Sequence, residues 1–315
     1  MNINGTNTSC YNCGSSNNDP FAKAMDIEYF TSADTYQYYV CHDCEVLFIH
    51  PQPSDQLKQI YPANYYSFND DPKSLSFKIK NKLDQAFFKK HLATLTQQKI
   101  NVLDIGGGTG ARCDIIKKND QRVTETRIVD IDAAAEQTAI QKGHQYFCGR
   151  IEDFTTTQKY DVILMLNLME HVSDPAAVLK KAVHLLSPDG IIIIQTPNYK
   201  SLDARLFRHA SWGGYHCPRH WVIFNKRNFF ELALNCDLQQ KYFSYTQGAA
   251  FWTVSILHKL QQWKLVRADA KRPLVYHPLF GFISMIMAAF DFARKPFAPL
   301  SQMLFVLKHP EKSNS

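Results

Sequence analysis

The sequence has no apolar run of the roughly 20 residues that a membrane-spanning helix needs. The apolar stretch from Leu279 to Phe290 stops at 12 residues. The opening residues, MNINGTNTS, carry neither a basic region nor an apolar core, so no secretory leader is expected and the chain reads as cytoplasmic. Internal repeats and low-complexity tracts are absent, which argues against a solenoid or a linker-like chain. Basic residues are scarce where a nucleic-acid grip would want them. Residues 1–57 hold one, Lys23, against seven acids: Asp19, Asp26, Glu28, Asp34, Asp43, Glu45 and Asp55. A segment that binds RNA offers Lys and Arg to phosphates, so this acidic one speaks against a nucleic-acid partner. Its tyrosines, Tyr36, Tyr38 and Tyr39, are spaced like strand residues rather than like a stacking surface.

What the sequence does contain is consistent with one large domain plus smaller additions in 315 residues. The formal net charge is +6, and residues 258–315 account for all of it with nine bases against three acids. The first strong motif is a pair of C-x-x-C knuckles, Cys10/Cys13 and Cys41/Cys44. Four thiolates at such spacing can close a tetrahedral zinc site with no open position, which makes the metal structural. Two disulfides are the alternative, disfavoured in a reducing cytosol. Cys113, Cys148, Cys217 and Cys236 have no ligand spacing and read as core or incidental thiols.

The second motif is Asp104-x-Gly106-x-Gly108-x-Gly110, which follows the mostly apolar segment Ile100–Ile105 and precedes a helical stretch from Ala111. This reads as a buried strand that breaks into a glycine loop and opens a helix, an arrangement that lets a ligand lie against the main chain. Downstream, strand-like and helical segments alternate. Strands are expected at 127–132, 145–148, 160–167 and 191–198, with a turn at Ser187–Gly190. An antiparallel pair is expected at 239–245 and 302–308. The alternation predicts an α/β fold with a largely parallel sheet.

The D-x-G-x-G-x-G form resembles motif I of the class I S-adenosylmethionine (SAM) methyltransferases. The block from Tyr160 to Asn198, YDVILMLNLMEHVSDPAAVLKKAVHLLSPDGIIIIQTPN, resembles that of ubiquinone-biosynthesis-type O-methyltransferases. Residues after the second knuckle, Glu45–Pro53 and Ile60–Tyr66, are similar to bacterial zinc-ribbon methyltransferases often found with glycan or natural-product pathways. The resemblance implies a Rossmann-like seven-stranded sheet, an N-terminal four-cysteine zinc ribbon, and SAM as cofactor. It implies a ribbon at 1–57, a linker or lid at 58–74, and a SAM-binding domain at 75–315 with a helical cap inserted at 247–299.

Site residues follow residue by residue. Asp104, Gly106, Gly108 and Gly110 would form the SAM loop. Asp130, with Asp132 as fallback and Ile131 beside it, would meet the ribose. Glu152 or Asp153 would accept from the adenine amine, and Asn167 would close the set. Asn167 stands where some quinone-type enzymes have a carboxylate, which weakens a metal-assisted mechanism. His171, His216 and His220 are candidate bases, because an oxygen acceptor needs its proton removed. Trp212, Tyr215 and Trp221 would form an apolar wall, Arg219 would hold an anionic group, and Tyr65 and Tyr66 would close over the site. The expected reaction is O-methylation of a hydroxylated small molecule, sugar or lipid-linked glycan. An rRNA methyltransferase with a four-cysteine ribbon, or a silent SAM-fold scaffold for a protein partner, are the alternatives. The stretch 278–299 is either a core-facing cap helix or a surface helix with basic flanks that gives peripheral contact with the inner membrane face.

Overall fold

The computed structural model describes residues 8–62, 75–209 and 211–311. In the N-terminal segment, β1 (Asn18–Ala24), β2 (Tyr36–Cys41) and β3 (Leu47–His50) form an antiparallel meander, followed by a single helical turn, α1 (Leu57–Ile60). After α2 (Leu75–Leu92) the chain runs through β4 (Ile100–Ile105), α3 (Ala111–Asn119), β5 (Val123–Asp130), α4 (Ala133–Gln141) and β6 (Gln145–Cys148). Then come β7 (Tyr160–Leu166), α5 (Pro175–Leu185), β8 (Leu186–Pro197), α6 (Leu202–Leu206), β9 (Val222–Ile223) and α7 (Lys226–Leu234). The chain finishes with β10 (Gln239–Thr246), α8 (Ala249–Gln262), α9 (Phe280–Arg294) and β11 (Gln302–Lys308).

Seven of these strands make one sheet in the order β10-β11-β8-β7-β4-β5-β6. The pairs from β8 to β6 are parallel, and β11 runs antiparallel to both its neighbours. This is the largely parallel sheet predicted by the alternation, with the seven strands of the Rossmann-like methyltransferase sheet that the resemblance implies. Strand β4 is central, with β5 on one side and β7 on the other, so the direction of winding reverses at its carboxyl end. Ligands of open α/β sheets bind at such a switch point. Buried apolar clusters cover both faces of the sheet, as a parallel sheet requires. The stretch Ser187–Gly190, expected as a turn, lies inside the bounds of β8. Its register there jumps from Tyr160↔Leu186 to Val162↔Ile191, so these residues bulge from the ladder instead of ending it.

The ribbon is not a separate bead. Strand β9, which follows the long loop after β8, adds to β3 with Leu47 opposite Ile223 and Phe48 opposite Val222. Ribbon and loop are also pinned by side chains. The Tyr38 hydroxyl donates to the carbonyls of Tyr215 (3.1 Å) and His220 (2.8 Å). Asn228 donates to the carbonyl of Glu45 at 2.9 Å. Helices α8 and α9 form an antiparallel pair between β10 and β11, joined by Thr253 and Ser284 hydroxyls 2.8 Å apart. No helix among the described residues is long and apolar enough to cross a membrane.

Candidate functional site

The glycine loop leaves β4 and begins the site. Gly106, Gly108 and Gly110 all have positive φ, at 77°, 51° and 79°. Two of them admit no side chain without a shift. A Cβ on Gly110 would meet His144 Cδ2 at 2.4 Å, and one on Gly106 would stand 3.2 Å from Leu168 Cδ1, across the cleft. Asp104 does not face that cleft. It is buried beneath the loop, against the Cys113 thiol, and burial pushes its carboxyl up to about 7. Its place is that of a support under the loop.

Asp130, at the carboxyl end of β5, accepts from the N–H of Gly108 at 2.8 Å and from that of Asp132 at 2.9 Å. Burial pushes this carboxyl up, and the backbone donors pull it back toward the ionised form. A carboxylate so held keeps lone pairs for two further donors. Asp132 is occupied otherwise, as the N-cap of α4 accepting from Ala134. Asp130 lines a cleft together with Gly106, Ile131, Arg150 and Glu152, and Leu168, His171, Val172 and Trp221 face it from the other side. Leu57 and Tyr61 cover it from the end of the ribbon. Asp153 is exposed and not part of these walls. Nor is Asn167. It is exposed, with φ 56°, and its side-chain oxygen accepts from Gln302 at 3.3 Å. Tyr65 and Tyr66 lie outside the described residues.

The three histidines converge although 49 residues of chain separate the first from the last. Ring centroids of His171 and His220 are 4.7 Å apart, and those of His216 and His220 are 5.0 Å apart. Only His171 reaches the cleft. Its Nδ1 lies 3.0 Å from the carbonyl of Arg219 and 3.0 Å from the Tyr61 hydroxyl. A carbonyl only accepts, so Nδ1 carries the hydrogen and Nε2 of the neutral ring keeps its lone pair. Burial pushes this imidazole down to about 3, so the ring is neutral across the physiological range. His220 follows the same pattern behind it, with Nδ1 2.8 Å from the carbonyl of Gly214 and its pKa pushed down by burial. His216 is buried and paired with Glu28 at 2.8 Å.

Glu170 completes this cluster from below. It is fully buried, its Oε2 accepts from Thr196 at 3.1 Å, and its Oε1 stands 3.9 Å from His220 Nε2. Burial pushes the carboxyl up to about 8, so the 3.9 Å contact joins two neutral groups and is not an ion pair. The consequence for stability has a definite sign. The folded state holds the Glu170 proton more tightly than the unfolded chain does. Stability from this group is therefore greatest below the unfolded value near 4.5 and declines as pH rises toward 8. Glu170→Gln removes the decline. The variant is expected to gain on the wild type by on the order of 2–4 kcal/mol at pH 8, and by far less at pH 5. Denaturant titrations at the two values check it, and equal differences at both would refute a neutral Glu170.

Three residues expected to meet an acceptor are instead spent inside the fold. Trp212 is buried, and its indole N–H donates to Asp203 at 2.8 Å. Tyr215 is buried too, with its hydroxyl donating to the carbonyl of Arg208 at 3.0 Å. Arg219 is fully buried and already paired. Its Nη2 lies 2.8 Å from Asp26 Oδ2, and its Nε donates to the carbonyl of Ile60 at 2.6 Å. No acceptor anion is left for it to hold. Asp26 and Glu28, read in the sequence as part of an acidic surface, are thus interior partners of Arg219 and His216. Their pairing could not be found from spacing, since the partners lie some 190 positions away. Tyr61 was likewise missed as a wall of the cleft, although it sits in the resembling block.

At the far end of the ribbon, Cys10 Sγ is 3.6 Å from Cys44 Sγ and Cys13 Sγ is 3.5 Å from Cys41 Sγ. All four sulfurs lie within 4.8 Å of one another. These separations are far longer than the roughly 2.05 Å of a disulfide. They are close to the edge of about 3.8 Å that a tetrahedron has when zinc–sulfur bonds are about 2.3 Å. The four thiols could hold one such ion.

The sheet order and its glycine-loop cleft are those of the class I SAM-dependent methyltransferase fold. The family description "Methyltransferase domain" matches residues 79–239, and the chain belongs to that family. Among curated relatives, the ubiquinone biosynthesis O-methyltransferase of Bradyrhizobium diazoefficiens is 28% identical over 102 residues, covering 31% of this chain and 40% of the relative. That of Actinobacillus pleuropneumoniae is 32% identical over 122 residues, covering 32% of this chain and 50% of the relative. The chain thus spans about half or less of the length of these relatives. Among solved structures, coclaurine N-methyltransferase bound to N-methylheliamine and SAH (S-adenosylhomocysteine) aligns with a TM-score of 0.51 at 14% identity, over 76% of each chain. The plantazolicin methyltransferase BpumL with SAH aligns with a TM-score of 0.51 at 17% identity, over 82% of this chain and 93% of that one. Both likenesses concern the fold.

Proposed function

We propose that this enzyme transfers the methyl group of SAM to a hydroxyl of a small molecule, sugar or lipid-linked glycan, with His171 as the proton acceptor. The observation that carries this reading is the placing of His171 on the same cleft as Gly106 and Asp130, with its free Nε2 lone pair. The O-methyltransferase activity named for the ubiquinone-biosynthesis relatives supports oxygen as the acceptor atom. Asp130 would accept from the ribose hydroxyls, Glu152 from the adenine amine, and Gly106 would let the main chain approach closely. SAM supplies an electrophilic methyl group on a cationic sulfur.

The remaining work belongs to the chain. Leu168, Val172 and Trp221 exclude water from the side where the acceptor would enter. Alignment and dehydration then supply much of the acceleration. An imidazole near pKa 3 is a weak base when considered alone. It would gain its proton as the positive charge on sulfur is lost, so the charge within the low-dielectric cleft stays constant. That coupling makes a half-buried, neutral histidine serviceable here. His220 and Glu170 would hold His171 from behind without touching the acceptor.

The four thiolates of Cys10, Cys13, Cys41 and Cys44 would hold one structural zinc ion, and the ribbon, residues 1–57, would act as the clamp on the histidine loop. Residues 58–74 would link it to the SAM-binding domain at 75–315, with the helical insertion at 247–299.

The test is labelled SAM with a panel of phenols, sugars and polyprenyl-linked sugars. Label is expected on oxygen. His171→Asn should lower kcat by about 10²–10⁴-fold, the usual range for a lost general base, with SAH affinity unchanged. Asp130→Ala should weaken SAH binding by about 10- to 100-fold, the scale of hydrogen bonds to a charged group. Label on nitrogen alone, or a His171→Asn variant within threefold of wild type at saturating SAM (about 0.7 kcal/mol), would remove the base from the reading.

A further inference from the structure

Helix α9 is apolar on both of its sides. The inner side packs on α8: Ile283 joins the cluster around Leu257 and Leu274, and Ser284 meets Thr253. Asp291, the one acid of the helix, is fully buried there, facing the N–H of Gly248 and the indole of Trp252. The outer side should then be polar, as the water-facing side of a cap helix normally is. Instead it carries Phe282, Met285, Ile286 and Phe290, which are 59%, 61%, 47% and 42% exposed. Their spacing of three, one and four residues puts them on one stripe. Phe292 and Phe297 extend the exposed apolar surface past the end of this stripe. Contiguous apolar surface of this kind on a soluble fold marks an interaction site.

The charge around it selects the partner. Arg294 turns inward, 3.6 Å from Asp291. Exposed bases remain at Lys295 after the helix and at Lys264, Arg267, Lys271 and Arg272 in the segment that leads into it, beside exposed Trp263 and Leu265. The acid of that segment, Asp269, accepts from the backbone of Lys271 and Arg272. A second copy would offer this face only the same excess of exposed bases, with no exposed carboxylate of α9 to complement them. A bilayer with anionic headgroups complements them and accepts the apolar stripe, as it does for monotopic helices. The face also leads to the site. Helix α8, on which α9 lies, touches the histidine loop through Ser255, whose hydroxyl accepts from Gly213 N–H at 2.9 Å, and through Phe251, which packs against Trp212 and His220.

We propose that the outer face of α9, with the basic segment 263–272, docks this enzyme on an anionic lipid surface and presents the cap above the histidine loop to the membrane. The inference is independent of which acceptor atom is methylated.

Flotation of the purified full-length chain tests it. The protein should float with vesicles of phosphatidylcholine and phosphatidylglycerol at low salt, stay down with phosphatidylcholine alone, and be released as salt rises, since screening weakens the electrostatic part. Met285→Glu/Ile286→Glu changes exposed positions and should keep the wild-type melting temperature and SAH affinity. It should lose more than nine-tenths of the floated fraction. Failure of the wild type to float with anionic vesicles would overturn the proposal, as would flotation of the double variant at the wild-type level. Sedimentation that shows a wild-type dimer dissociated by the same substitutions, without flotation, would assign the face to a second copy instead.

Discussion

Cys41→Ser is expected to abolish methyl transfer while leaving SAH affinity within about tenfold of wild type, a difference of about 1.4 kcal/mol. Zinc on a four-thiolate site contributes on the order of 10–16 kcal/mol in isolated fingers, comparable to the entire stability of a domain. Losing it should unfold the ribbon locally. The segment between the knuckles holds the histidine loop in three places. Tyr38 holds the carbonyls of Tyr215 and His220, Glu28 holds His216, and Asp26 holds Arg219. The carbonyl of Arg219 in turn orients His171. The glycine loop and Asp130 are built from β4 and β5, which pair in the other sheet. Leu57 and Tyr61 do line the cleft, hence the allowance of about tenfold. Elemental analysis should give about one zinc per wild-type chain and none in the variant. Calorimetry with SAH and a turnover assay complete the measurement. Full turnover by zinc-free protein, or loss of SAH binding in step with turnover, would contradict it.

Arg219→Met should destabilise the fold by about 3–5 kcal/mol, the cost of leaving a buried charge without its partner. In the wild type, burial pushes the Asp26 carboxyl up. The Arg219 guanidinium, Thr31 and the backbone of Tyr29 outweigh that and hold it at about 2. A carboxyl so depressed contributes stability that is present above its unfolded value near 4 and is lost as pH falls through 2. Without Arg219, burial is left with less opposition and the sign reverses. Asp26 would then hold its proton in the folded state, and stability would fall as pH rises above 4. The deficit of the variant should therefore be smaller near pH 4 than near pH 8, where the stranded carboxylate adds to it. Denaturant titrations at both values check this. Asp26→Asn/Arg219→Met should recover most of the loss, because it removes the stranded charge. A deficit independent of pH would show that packing around Tyr29, over which the guanidinium lies at 4.8 Å, outweighs the ion pair.

Most of what rests on local periodicity was legible in the sequence, the turn expected at 187–190 excepted. The glycine loop, the ends of β4 and β6 and, to within a residue, the ends of β10 and β11 fall where alternation and turn residues put them, because each depends on neighbours within a few positions. The histidine loop was legible only in part. Its three imidazoles do converge, but Trp212, Tyr215 and Arg219 face inward. Their partners are Asp203, a carbonyl at Arg208, and Asp26. For Asp26 the separation is 193 positions, and no period in a sequence reports that. The acidity of the ribbon misled in the same way. Two of its seven acids, Asp26 and Glu28, are buried against Arg219 and His216, so composition overstated the charge on its surface. Helix α9 was left with two readings for another reason. A stripe that is apolar all round carries no mark of which side meets the protein, and only the packing of Ile283 and Asp291 against α8 decides it.

The two residues of β9 have a consequence for inheritance. Because Val222 and Ile223 complete the sheet of the ribbon, the histidine loop is complete only where the chain returns to its own N-terminal segment. A chain begun at residue 75 would leave that edge unpaired and would strand His216 and Arg219 in the interior. Such a ribbon cannot be traded between related enzymes like a cassette. Substitutions at Asp26, Glu28 or Tyr38 would have to be answered within 213–223, so the two segments should drift together, and hybrids joined between them should fail even when each parent is sound.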